Sequence, residues 1–261
     1  MSTPTTAYAI VLAVFGASSE SARKAYAAIE SEYRTAFPHA ELRWAYLSKR
    51  IVARQRKLGV YLATIEEALE QLRQDGFTQV VVQPILTVPG EEFLLLTQTA
   101  TNGLHLQWAQ PLLAAEEDFK AILRVLDASI SNQDPHILVC HGNDKYPELN
   151  AQLLTLKQLA EARFHQLRVA SIEGQPGDAA ICALESLALH PERIRFIPFM
   201  ITAGEHVQED VMGDSAESWR SRVAAHSTEC LPPLGLNPAV TAIFIKHTLD
   251  ALNALAEEPK Q

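Results

Sequence analysis

Three side chains in the second half of the sequence combine metal-ligand chemistry with an even spacing. His141, Glu173 and His206 are separated by 32 and 33 residues. Each follows a short apolar run: His136–Cys140, Leu167–Ile172 and Ile194–Ile201 respectively. About thirty residues is the length of one strand–helix–strand unit, and successive right-handed units bring strand ends to the same edge of a parallel sheet. The spacing therefore predicts that all three groups converge. Two imidazoles and a carboxylate suit a borderline divalent cation such as Co²⁺, Ni²⁺, Fe²⁺ or Zn²⁺, with positions left open for exchange. Taken singly, each residue has a plainer role. A histidine at a strand end is usually hydrogen-bonded or exposed, Glu173 could serve a helix N-terminus, and His206 could be an ordinary loop histidine. Their common placement favours one shared site, metal-binding and catalytic together. The seven other histidines (His39, His105, His136, His165, His190, His226 and His247) lack such a pattern and read as structural or surface groups.

Other chemistry is thin. The three cysteines, Cys140, Cys182 and Cys230, are odd in number and show no CxxC spacing, which argues against both a disulfide scaffold and a thiolate zinc site. Cys140 precedes His141, but neighbouring strand residues point to opposite faces, so a Cys–His catalytic pair is not expected. No GxGxxG follows a strand and no GxxxxGK[ST] occurs, so no nucleotide is expected. Gly16-Ala17-Ser18-Ser19 reads as a helix cap, with an anion site as its alternative. Glu205, Glu209, Asp210 and Asp214 gather acid near His206, either to draw in a hydrated cation or to solubilise the loop. Lys49, Arg50, Arg54, Arg56 and Lys57 concentrate five positive charges, read as a solvated helix face or a dock for a carboxylate-rich ligand.

Apolar runs alternating with helical stretches must position these groups. Ala9–Phe15, Leu42–Leu47, Val80–Leu86, His136–Cys140, Leu167–Ile172 and Ile194–Ile201 read as strands. Glu20–Ala36, Thr64–Gln74, Leu149–Phe164, Asp178–Leu189 and Pro238–Leu255 read as helices. The unbroken Val80-Val81-Val82 indicates a strand covered on both faces, as in a parallel sheet. Pro84-Ile-Leu-Thr-Val-Pro-Gly90-Glu91 lines up with Pro198-Phe-Met-Ile-Thr-Ala-Gly204-Glu205, and Gly16 lines up with Gly142. The chain thus reads as a duplication: an N-terminal α/β lobe over 1–128, a C-terminal α/β lobe over 129–240 carrying the metal site, and a C-terminal helix over 241–261 packing back on them. A cleft between the lobes, faced by strand C-termini, is the expected ligand site.

Composition bounds the partners. The chain has 261 residues, 48% hydrophobic and 20% charged, which is globular rather than disordered. A net charge of −9 disfavours nucleic acid or an anionic membrane as the main partner. Tyr8–Phe15 is far shorter than the roughly 20 residues of a membrane span and lacks the flanks of a signal peptide. With the cysteine usage, this points to the cytoplasm.

Several segments together resemble a known family. Phe15-Gly16-Ala17-Ser18, Val139-Cys140-His141-Gly142, Ser171-Ile172-Glu173, Pro198 to His206, Glu217-Ser218-Trp219-Arg220 and Leu234-Gly235-Leu236-Asn237-Pro238-Ala239 resemble the anaerobic, sirohydrochlorin-type cobaltochelatases of cobalamin synthesis. The resemblance covers about residues 8 to 254. It implies the class II chelatase fold: two flavodoxin-like (Rossmann-like) α/β lobes with parallel sheets, a tetrapyrrole in the cleft and no ATP requirement. It implies His141 and His206 as metal-binding histidines and Glu173 as the carboxylate. It further implies insertion of Co²⁺ into sirohydrochlorin, the metal being a substrate. Fe²⁺ and Ni²⁺ also fit the ligand set, and a ferrochelatase acting on sirohydrochlorin or a porphyrin is the alternative enzyme. A non-catalytic tetrapyrrole or metal carrier is the alternative of another class. Some members carry a histidine where this chain has Leu86, so haem ligation there is not expected. A homo-oligomer stays open.

Overall fold

Alternation of β-branched runs with amphipathic stretches yields two parallel sheets. The computed structural model describes residues 8–101, 103–185, 191–223 and 225–257. In chain order the first elements are β1 (Tyr8–Val14), α1 (Glu20–Ala36), β2 (Glu41–Tyr46), α2 (Lys49–Lys57), α3 (Ile65–Gln74), β3 (Gln79–Pro84), α4 (Glu91–Leu96) and β4 (His105–Trp108). There follow α5 (Glu116–Asp127), β5 (His136–Cys140), α6 (Ala151–Arg163), β6 (Leu167–Ser171), α7 (Ala179–Glu185), β7 (Arg193–Pro198), α8 (Trp219–Arg222), β8 (Ser227–Cys230) and α9 (Pro238–Glu257). The described residues form two compact units. One comprises 8–18, 27–114 and 241–257, the other 19–26 and 115–240, so that α5 lies in the second and most of α9 in the first.

Each unit holds one four-stranded, all-parallel sheet, ordered β2-β1-β3-β4 in the first and β6-β5-β7-β8 in the second. This is the flavodoxin-like order, in which the chain reverses its direction of growth at the central pair of strands. The duplication extends to register: Ala13 pairs with Pro84 in one unit and Val139 with Pro198 in the other. Phe15 therefore stands where His141 stands. Ser48 stands where Glu173 stands, because Ser48 N–H donates to the Phe15 carbonyl (3.0 Å) as Glu173 N–H donates to that of His141 (2.8 Å).

Local signals account for the elements. Ser19 Oγ accepts from Ala22 N–H (3.1 Å) at the start of α1. Thr64 and Glu67 form a reciprocal capping box on α3, whose stripe Ile65, Ala68, Leu69 and Leu72 packs on Ala9, Val11, Val80 and Val82. Val81 points to the other face, against Ala109, Ala251 and Leu255. The Val-Val-Val run is thus sandwiched between α3 and α9. In the second unit Ile137, Val139, Ala170, Ile181, Ile194, Phe196 and Trp219 form the corresponding core. The apolar runs Val80–Leu86 and Ile194–Ile201 both end as strand earlier than expected, at Pro84 and Pro198. The expected Leu149–Phe164 helix begins at Ala151, because Pro147–Asn150 tightens into a 3₁₀ turn. Of the expected Asp178–Leu189 helix, 186–190 lie outside the described residues, as does His190. No helix among the described residues is long and apolar enough to cross a membrane.

Two buried hydrogen bonds tie the first unit's α9 to α1 and to its sheet. Tyr33 O–H and Thr248 Oγ1 are 2.9 Å apart, and Thr248 O–H donates to Gln83 Oε1 at 2.9 Å. Burial pushes the Tyr33 phenol well above its usual range, so it serves as a neutral hydrogen-bonding group. Thr248→Val keeps the shape but strands a buried hydroxyl and a buried amide oxygen. It is expected to cost about 1–3 kcal/mol, read as a lower urea midpoint; a shift below about 0.5 kcal/mol would count against the network.

In the second unit His136 is fully buried. Its Nδ1–H donates to the Asp134 carbonyl (2.8 Å) and its Nε2 accepts from Ser131 N–H (3.4 Å). Desolvation lowers its pKa below the usual 6.5. The unfolded chain then binds a proton that the folded chain refuses. The stability so conferred is complete above pH 6.5 and drains away as pH falls through the lower folded-state value. Urea unfolding is expected to weaken over that interval, and to weaken less in His136→Asn.

Candidate metal centre

His141, Glu173 and His206 meet at the C-terminal rim of the second unit's sheet. His141 follows the central strand β5, Glu173 lies two residues past β6, and His206 opens the turn that follows the β7 loop. Their ligand atoms all lie within 4.8 Å of one another. The imidazoles sit edge to face, with centroids 5.0 Å apart and planes at 89°. Two ligands each about 2.1 Å from one ion are at most about 4.2 Å apart, so small side-chain rotations close the set. The groups are roughly half exposed. Such a rim site stays open to exchange, unlike a closed structural site.

Backbone, not side-chain packing, sets His141 beside Glu173. The ladder between β5 and β6 runs on past both strands, through Ile172 N–H to Cys140 O (3.0 Å) and Glu173 N–H to His141 O (2.8 Å). That approach leaves no space at Gly142, where a Cβ would lie 1.7 Å from the Glu173 carbonyl oxygen, at φ +81°. Gly174 is pinned likewise: a Cβ would lie 2.2 Å from the Asn143 carbonyl oxygen, and its N–H donates to Asp144. The loop after Glu173 folds back on Ser171, whose Oγ accepts from Gly177 N–H (2.8 Å).

The imidazoles present the same nitrogen. His141 Nδ1–H donates to the Gly142 carbonyl at 3.0 Å, and His206 Nδ1–H donates to Asp210 Oδ2 at 2.7 Å. Both acceptors lack a proton to give, so Nε2 is left to bind a cation. A cavity of about 550 Å³ runs along Glu173, His206 and Asp210 toward Ser218 and Trp219. Its wall holds Asp144, Asp178 and Glu217, and among the described residues its one Lys or Arg, Arg222, is engaged by Asp178 and Glu185. The surroundings favour a cation.

The comparisons with known proteins agree with this chemistry. A family model described as cobalt chelatase (CbiK) matches residues 8–253. The chain belongs to the cobalt chelatase family. This chelatase is 27% identical to the sirohydrochlorin cobaltochelatase of Salmonella typhimurium, over 96% of its own length and 98% of the relative's. It is 25% identical to sirohydrochlorin cobaltochelatase CbiKC of Nitratidesulfovibrio vulgaris, over 97% and 93%. In fold the chelatase is similar to SirB from Bacillus subtilis, solved with Fe³⁺, at a TM-score of 0.67 and 15% identity, covering 96% and 98% of the two chains. It is also similar to CbiX, at 0.60 and 18%, covering 93% and 98%.

Other residues singled out in the sequence take defined places in the two units. Cys140 is fully buried and desolvation lifts its thiol to about 12, which removes it from thiolate chemistry. The basic run forms α2, where Val52 is buried and Arg56 is paired with Glu67. Of the acids near His206, Asp210 has a specific partner in that histidine and Asp214 pairs with Arg220. The spacing of four between His206 and Asp210 is the signal that could have announced the first pairing.

Gly142→Ala is expected to destabilise the chelatase by more than about 2 kcal/mol, since left-handed backbone and steric overlap add, and to weaken Co²⁺ binding. Gly204→Ala, where nothing lies within 4 Å of a Cβ, serves as the tolerated control. Equal urea midpoints for the two variants would contradict the close approach.

Proposed function

We propose that this chelatase inserts Co²⁺ into sirohydrochlorin without nucleotide hydrolysis, using His141 and His206 as metal ligands and Glu173 as ligand and proton acceptor. The reaction exchanges two pyrrole N–H protons for one divalent ion. Its barrier lies in stripping water from the metal while the ring nitrogens are still partly protonated. His141 and His206 would replace water ligands through Nε2. That makes metal capture proton-dependent, because only unprotonated imidazole binds. Glu173, half exposed and 3.9 Å from His141 Nδ1, would complete the ion's coordination and then accept a pyrrole proton as the metal moves to the macrocycle. General-base assistance of this kind is worth about 10²–10⁴-fold.

The observation that carries the reading is the meeting of three ligand side chains, 32 and 33 residues apart in sequence, within 4.8 Å at an open sheet rim. Membership of the cobalt chelatase family and relatives named sirohydrochlorin cobaltochelatase support it. Imidazole and carboxylate ligands also accept Fe²⁺ and Ni²⁺, so the physiological metal is tested by rate.

The decisive assay follows sirohydrochlorin absorbance anaerobically with Co²⁺, Fe²⁺ and Ni²⁺ in parallel. Turnover of many macrocycles per chain is expected; conversion that stops at one per chain would make the protein a carrier. His141→Ala and His206→Ala should each lower metallation at least about 10²-fold while leaving the urea midpoint in place. Glu173→Gln should lower kcat by about 10²–10⁴-fold with KM for the macrocycle little changed. Wild-type rates in either histidine variant would remove the metal assignment, and an unchanged kcat in Glu173→Gln would remove the base.

A further inference from the structure

The two ligand histidines are not equivalent. His141 hands its Nδ1 proton to a backbone carbonyl at 3.0 Å, whereas His206 hands its own to a carboxylate at 2.7 Å. We infer that Asp210 is a positioning residue for metal capture: it orients the His206 ring, fixes its tautomer, and makes His206 the anchoring ligand and His141 the one released as the ion passes to the macrocycle. This rests on the three-residue metal site proposed above.

Three observations support it. First, the pair is exposed on both sides, 48% for the histidine and 47% for the aspartate. An exposed pair of this kind adds little to folding stability, so its effect lies in ring orientation. Second, a carboxylate behind a ligating imidazole raises the basicity of the other nitrogen and holds the ring plane, whereas a carbonyl lends less charge. Third, the backbone departs locally from its counterpart in the repeat. In the first unit, Gly90 leads into α4, an ordinary α-helix that buries Leu96. In the second, Gly204 leads into a π-type turn, Val207–Val211, closed by Met212 N–H to Val207 O at 3.0 Å. The wider turn buries Val211 and leaves Asp210 outside, although Asp210 aligns with buried Leu96 in the Gly90/Gly204 alignment. Turns of this kind recur at functional sites. Here Asp210 stays outside, on the His206 side. Gly213 closes the turn, with a Cβ there only 2.2 Å from the Glu209 carbonyl oxygen.

The test measures Co²⁺ affinity of the metal-free chain without macrocycle, by visible absorption titration of Co²⁺, in wild type, Asp210→Ala, Asp210→Asn, His206→Ala and the Asp210→Ala/His206→Ala pair. Asp210→Ala should weaken binding about ten- to hundredfold without moving the urea midpoint. Asp210→Asn, which can still accept from Nδ1–H but carries no charge, should fall in between. In the His206→Ala background, Asp210→Ala should change affinity less than twofold. An unchanged affinity in Asp210→Ala overturns the inference. So does an equal loss in the His206→Ala background, because Asp210 would then act as a general attractor of cations. Failure of the wild-type chain to bind Co²⁺ would instead sink the metal site itself, and this inference with it.

Discussion

The second unit's chemistry depends on a parallel ladder that does not stop where its strands stop. Two hydrogen bonds beyond β5 and β6 carry the pairing from Cys140 to His141 on one side and from Ile172 to Glu173 on the other. A peptide unit is planar and its hydrogen-bond distance narrow. An imidazole and a carboxylate distant in sequence are therefore set side by side by main-chain geometry. The closeness demands a residue without a Cβ at 142, and glycine meets that demand in a left-handed conformation. His206 joins them because β7 runs parallel on the other side of β5, so its chain also emerges at that rim.

The fold alone does not make a metal site. The first unit repeats the strand order, register and rim hydrogen bonds, yet presents Phe15 and Ser48 where the second unit presents His141 and Glu173. By the Gly90/Gly204 alignment it presents Glu92 in place of His206. An aromatic ring, a hydroxyl and one carboxylate hold a borderline cation poorly. One scaffold thus appears twice with different side chains on its rim, and the proposed metal site follows the side chains.

The exposure of the three candidate ligands suits a metal that is handed on. A cation enclosed by four protein ligands is retained, whereas half-exposed ligands at a rim leave coordination positions to water and to the incoming ring nitrogens. The charge around the site helps: carboxylates line the adjoining cavity and the Arg222 guanidinium there is already neutralised. Thiolate chemistry is kept out, since Cys140, next to His141 in sequence, points into the core with its thiol held near 12.

Much of this was legible in the residues. The Val80–Val82 run announced a strand buried on both faces, the apolar stripe Ile65, Ala68, Leu69 and Leu72 announced α3, and the even spacing of His141, Glu173 and His206 announced a shared rim. These are local or periodic signals, and side-chain period and chain handedness translate them directly into geometry. Short edge strands such as β4 and β8 were not legible, because four residues carry too little pattern to separate strand from loop. The pairing of Asp210 with His206 was signalled only by a spacing of four, and an acidic cluster in sequence does not by itself say which carboxylate faces which ring. That choice belongs to tertiary structure, where a widened turn packs Val211 inward and leaves Asp210 on the histidine's side. The spacing named the candidate ligands; the extended ladder and the His206–Asp210 pairing decided how they are held.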